Sequence, residues 1–94
     1  MSINSSYPTY PETYVRRESL RRFFADFIEG ARHRANHQVG EAAHLASMKV
    51  PDWLAIETGC RRPDLIQIDW MPPVLRMSRE QLERTVAMCA EAWE

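Results

Sequence analysis

The most constraining feature of this chain is the run Val39 to Gly59, VGEAAHLASMKVPDWLAIETG, in which small apolar residues recur about one helical turn apart and then give way to large ones. Ala42, Ala43 and Ala46 share one face of a helix, and their small side chains let another helix cross at close range. Trp53 and Ile56 form an i, i+3 pair on a second helix. Ser47, Met48 and Lys49 are left as the turn between the two, with Met48 adding to the apolar set. Two short helices folded over such a turn make an αα corner, the helix-turn-helix unit.

Upstream, Leu20, Phe23, Phe24, Phe27, Ile28 and Ala31 recur at spacings of three and four, which predicts a helix starting near Val15 or Ser19 with this stripe in the core. Its polar face carries Arg17, Arg21 and Arg22 interleaved with Glu18, Asp26 and Glu29, as a solvated face with i, i+3 and i, i+4 pairs does. Gly30 costs such a helix about 1 kcal/mol relative to alanine, and points to close approach by another backbone. Asn36 tolerates left-handed geometry and is placed to end the helix. Residues 1–14, rich in Ser, Pro and Tyr, read as a flexible N-terminal arm whose Tyr7, Tyr10 and Tyr14 could stack on a partner.

Downstream, Cys60-Arg61-Arg62-Pro63 reads as a loop and Asp64 to Trp70 as a short helix. Pro72-Pro73 should stop that helix near Trp70 or Met71, because neither proline donates a backbone hydrogen bond and Pro73 disfavours helical geometry at Pro72. Ser78 and Gln81 have the spacing of a capping box. The helix they start carries Leu82, Val86, Cys89 and Trp93 in one stripe. It either closes the core or pairs with a second copy, and the terminal position of Trp93 favours a homodimer. The chain thus divides into an arm (1–14), a helix-turn-helix domain (15–78) and a C-terminal helix (79–94).

Taken together, these residues resemble the Cro/Xre family of phage-repressor-type helix-turn-helix proteins. Ala43 falls where that family has its close-packed alanine, and Met48, Trp53 and Ile56 fall on its later buried positions. Glu57-Thr58-Gly59 matches the family's acidic residue, variable residue and glycine, the last ending the recognition helix in a left-handed cap. Arg32 lies where the family has an arginine that pairs with the closing glutamate, so the resemblance implies an Arg32–Glu57 ion pair. Pro63, Leu65, Ile68, Leu75, Met77 and Leu82 follow the family's pattern for the fourth helix and the start of the fifth. The implied fold is all-α, a compact four- to five-helix bundle of the phage-repressor type.

Catalytic chemistry finds no support in the sequence. Ninety-four residues suit one small core. Cys60 and Cys89 lie too far apart in sequence for a disulfide framework or a zinc motif. His33, His37 and His44 read as helix-surface residues, and no phosphate loop or activated nucleophile motif occurs. No enzyme activity, cofactor or metal is expected. With no apolar run near ~20 residues and no signal-peptide core, neither a membrane span nor export is expected, and cytoplasmic location is the simplest setting.

Charge bears directly on function. The formal net charge is −1 and the pI about 6.3, whereas a phosphate-binding domain is usually basic. Up to Ala35 six arginines oppose four acids, but Asn36 to Cys60 holds only Lys49 against Glu41, Asp52 and Glu57. In phage-repressor-type proteins the N-terminal residues of the second motif helix reach base edges, which calls for Arg, Gln, Asn, Lys or Ser there. This helix offers Lys49, Val50, Pro51, Asp52, Leu54 and Ala55, and Val39 stands where the family often has glutamine.

Two functions are compatible with that pattern. One is a small transcriptional regulator binding double-stranded DNA through Arg34, Gln38, Lys49, Val50, Pro51, Leu54, Arg61 and Arg62, with its apolar residues meeting thymine methyl groups. The other is a protein-interaction module or anti-regulator on the same fold, with Val50, Leu54, Trp70 and Trp93 as contact residues.

Overall fold

The computed structural model describes residues 11–94, and all the regular structure among them is helical. The order is α1 (Glu12–Arg34), α2 (Val39–Leu45), α3 (Val50–Glu57), α4 (Leu65–Leu75) and α5 (Arg79–Met88), followed by a 3-10 turn over Ala90–Trp93. Tyr7 and Tyr10 lie outside the described residues. α1 begins at Glu12 after Pro11, whose carbonyl accepts from the amides of Tyr14 and Val15. Residues 12–14, expected in the arm, therefore belong to the first helix. No helix among the described residues is long and apolar enough to cross a membrane.

α1 contacts α3, α4 and the C-terminal turn, so the core gathers along it. Phe24, Ile28 and Ala31 are its fully inward line, spaced i, i+4 and i+7. Leu20 and Phe27 are partly buried at its edges. Phe23 is a correction to the expected stripe: it is 49 % exposed, because the neighbours of α1 cover a narrower arc than the apolar residues span. Ala42 and Ala43 of α2 and Ala46 just after it, at most 2 % exposed, share one core with Trp53 and Ile56 of α3, both 0 %. Their small side chains allow the two helices to pack over a turn only four residues long, Ala46 to Lys49.

Each of the first four helices ends on a residue with positive φ: Asn36 (62°), Ser47 (57°), Gly59 (79°) and Arg76 (54°). At every one of these ends two backbone bonds close the last turn in the Schellman pattern. After α3, for instance, the Cys60 amide donates to Ala55 O and that of Gly59 to Ile56 O. Only one of the four must be glycine. A Cβ on Gly59 would lie 2.4 Å from the Arg21 carbonyl oxygen, so α1 and the end of α3 touch backbone to backbone. The close approach expected at Gly30 is absent, since a Cβ there would meet only the Arg34 guanidinium, 3.2 Å away.

α4 corrects a further expectation, that it stops near Trp70 or Met71. Asp64 and Gln67 form a reciprocal capping box, with bonds of 2.8 and 2.9 Å, and the helix then runs through Pro72 and Pro73 to Leu75. The prolines remove two amide donors, yet Met71, Val74 and Leu75 bury nearly completely around them. Met77 N and Arg76 N also close the last turn onto the proline carbonyls, at 3.0 and 3.3 Å. Packing and capping thus offset the lost hydrogen bonds. Leu65, which the resemblance matched to the fourth helix, does start that helix but is 74 % exposed, and Ile68 is its first buried residue.

The Ser78 hydroxyl accepts from the Gln81 amide at 3.0 Å and starts α5. Leu82, Val86 and Cys89 are buried, so this segment closes the core. Trp93 turns inward as well. Its ring packs edge-on against Phe24, with centroids 5.0 Å apart and planes at 89°, and its Nε1 donates to Gly59 O at 3.0 Å. Trp93 is engaged within its own chain, which removes the feature that favoured a homodimer through this helix.

Candidate functional site

Several of the residues named from sequence lie on α3 or next to it in the chain, and a buried polar network sets how that helix sits. The Arg32 guanidinium grips the Glu57 carboxylate with two bonds, Nε to Oε1 at 2.7 Å and Nη2 to Oε2 at 2.9 Å. Its Nη1 donates to the His37 carbonyl at 2.9 Å, and Trp53 Nε1 donates to Glu57 Oε1 at 2.8 Å. Arg32 and Glu57 are only 5 % and 6 % exposed, so neither charge has water to fall back on. Burial pushes the Glu57 carboxyl up, but the hydrogen bonds from Arg32 and Trp53 outweigh it and hold the group below the usual carboxylate range. The bond to Glu57 likewise raises Arg32 above its ordinary value, against the cost of desolvation. This bidentate, charge-assisted contact ties α1 to the C-terminal end of α3 in a single orientation.

With Trp53, Ile56 and Glu57 turned inward, the opposite side of α3 faces solvent. Val50 and Leu54 are each 40 % exposed, and Pro51 and Thr58 are exposed beside them. The Thr58 hydroxyl donates to Leu54 O at 2.7 Å and is thereby occupied. Asp52 pairs with Arg61 at 3.6 Å, so the one acid on this face is partly neutralised by the loop that follows. Lys49, Gln38 and Arg62 are exposed, and no ion pair forms at Lys49 or Arg62 among the described residues. Arg34 lines a cleft of about 200 Å³ with Arg76 and Gln81, between α1 and the end of α4.

Trp70 does join the α3 side. It lines an open groove of about 370 Å³ with Met48, Lys49, Asp52 and Ile66, between the α2–α3 turn and the start of α4. Ile66, which lines it, is 68 % exposed, and the preceding Leu65 is 74 % exposed; neither was foreseen as a contact. Their position in the first turn after the Asp64 cap is the sequence signal that they would point outward. Cys60 is exposed, whereas Cys89 is buried and its thiol is pushed up by that burial. No group of three His, Cys, Asp or Glu that could hold a metal ion forms among the described residues. Among the described residues no serine, threonine or cysteine side chain hydrogen-bonds a histidine or carboxylate side chain. What the arrangement presents beside α3 is an open groove with exposed apolar side chains around it.

Comparison with protein-family models, with curated proteins and with solved structures gives no match for this chain.

Proposed function

We propose that this chain is a small helix-turn-helix regulator that binds double-stranded DNA, with α2 and α3 as the motif and α3 as its recognition helix. The observation that carries this reading is the Arg32–Glu57–Trp53 network, which holds α3 by its inner side, while Val50, Pro51 and Leu54 stay exposed on the other. Phage-repressor-type docking needs a helix presented in that way. Lys49, Gln38 and the Arg61-Arg62 loop contact phosphates, which position the protein without reading sequence. Val50 and Leu54 read thymine methyl groups, a weaker code than a bidentate pair worth about 1–3 kcal/mol per base. The regulator consequently discriminates among sites less sharply than one with Gln or Arg on that face.

A second reading is favoured by a specific observation: Val50, Leu54, Leu65, Ile66 and Trp70 form an exposed apolar set on α3 and α4. Such a set suits burial against a protein. Binding of the purified chain to mixed genomic fragments at low and moderate salt separates the two readings. DNA binding predicts enrichment of discrete fragments, a steep loss with added salt and failure of an Arg61→Ala, Arg62→Ala variant. Absence of enrichment at either salt would overturn the regulator reading in favour of protein contact.

A further inference from the structure

Arg61 and Arg62 do not stand alone on the loop after α3. Two open clefts of about 450 Å³ each meet at Cys60. One is lined by Arg21 and Arg22 of α1 with Glu18 and Thr58, the other by Arg21, Arg61 and Arg62 with Trp93 and Glu94. The cause of this convergence is the Gly59 backbone. Because no Cβ intervenes, the chain leaving α3 lies directly against the Arg21 carbonyl, and the bond from Trp93 Nε1 to Gly59 O pins it there. Four arginines that are 39 or more positions apart in sequence as two pairs thereby share one surface.

Against these four arginines stand Glu18, Asp52 and Glu94, which lines the second cleft, so one positive charge is left over. Arg21 is paired with Glu18 and Arg61 with Asp52, while no ion pair forms at Arg22 or Arg62 among the described residues. In a chain of net charge −1, a cluster of this sign must be set against a surplus of acid elsewhere. We infer that Arg21 and Arg22 form, with Arg61 and Arg62, a phosphate-binding surface for the backbone of duplex DNA. It lies at the C-terminal end of α3, beyond the apolar face that meets the bases. The inference rests on the regulator reading and extends it, since it adds α1 to the Arg61-Arg62 loop as a source of electrostatic attraction. Guanidinium groups suit the task because their planar donors match phosphate oxygens.

The test is binding of the full chain to a duplex of random sequence over a range of salt concentrations. An Arg21→Ala, Arg22→Ala variant is compared with an Arg79→Ala, Arg84→Ala variant, which makes the same charge change on α5, and thermal melting checks that both remain folded. Each lost phosphate contact lowers the slope of log affinity against log salt by about 0.9. The α1 variant should therefore lose about 1.8 from the slope and bind more weakly on every sequence alike, while the α5 variant keeps the wild-type slope. Equal slopes for wild type and the α1 variant would overturn the inference and leave the regulator reading standing. A wild type that does not bind duplex even at low salt would overturn both, and equal losses in the two variants would reduce the effect to net charge and overturn the local site.

Discussion

The inner and outer sides of α3 belong to the same eight residues and obey different rules. Inside, Trp53 and Ile56 are fully buried, and Glu57 holds a charge that three donors from Arg32 and Trp53 satisfy. Outside, Val50 and Leu54 keep 40 % of their surface exposed to solvent. The inner side carries stability and orientation, and the outer side is free to carry recognition. A helix so divided can change its ligand without changing its fold, because the two sets of side chains alternate along the same turns.

The sharpest way to break that division is from the inside. Arg32→Ala leaves the Glu57 carboxylate buried without its ion, at a cost of about 3–5 kcal/mol. In a domain of this size that lowers the melting temperature by more than ~12 °C. An unchanged thermal unfolding curve would show that the network does not hold α3. The same network has a pH signature. Glu57 titrates below its unfolded value when folded, so its contribution is fully present above the ordinary carboxylate value of about 4.3 and is lost as pH falls through the lower folded value. Glu57→Gln lacks this term, so the gap in stability between it and the wild type should narrow as a urea unfolding series is carried below pH 4.

Smaller effects follow from the helix ends. Gly59→Ala forces a Cβ into the Arg21 carbonyl at a positive φ, and should cost at least the ~1–3 kcal/mol of a strained backbone. Ser47 has nearly the same φ but is exposed, so Ser47→Gly relieves about 1 kcal/mol of strain and raises the denaturation midpoint. The outer side gives the smallest change. Val50→Glu with Leu54→Glu should move stability by less than ~1 kcal/mol, as surface changes do, while altering whatever the surface binds. A large loss of stability there would mean that the outer side also belongs to the core.

Much of the inner side was legible in the sequence, and the physical reason is periodicity. Alanines at one-turn spacing, the Trp53–Ile56 pair and the left-handed residue Asn36 each report a local preference that the fold keeps. The pairing of Arg32 with Glu57 came from the resemblance to Cro/Xre proteins, since no local rule links residues 25 positions apart. What escaped depends on where neighbours end. Phe23 and Leu65 are apolar on the right period, but no element reaches them. Pro72 and Pro73 break the helix by local rules and are overridden by the burial of Met71, Val74 and Leu75. Trp93 looked like a contact for a second copy until Phe24 and the Gly59 carbonyl took it up. The juxtaposition of Arg21 and Arg22 with Arg61 and Arg62 is non-local in the same way, because it follows from one missing Cβ.

The most direct test of the regulator reading is recovery of genomic DNA fragments by the wild type beside the Val50→Glu, Leu54→Glu variant, at low and moderate salt. The outer side of α3 as the reading surface predicts discrete fragments for the wild type, and for the folded variant only weak, sequence-indifferent binding through its arginines. Recovery of the same fragments by both proteins, or of none by either, would contradict it.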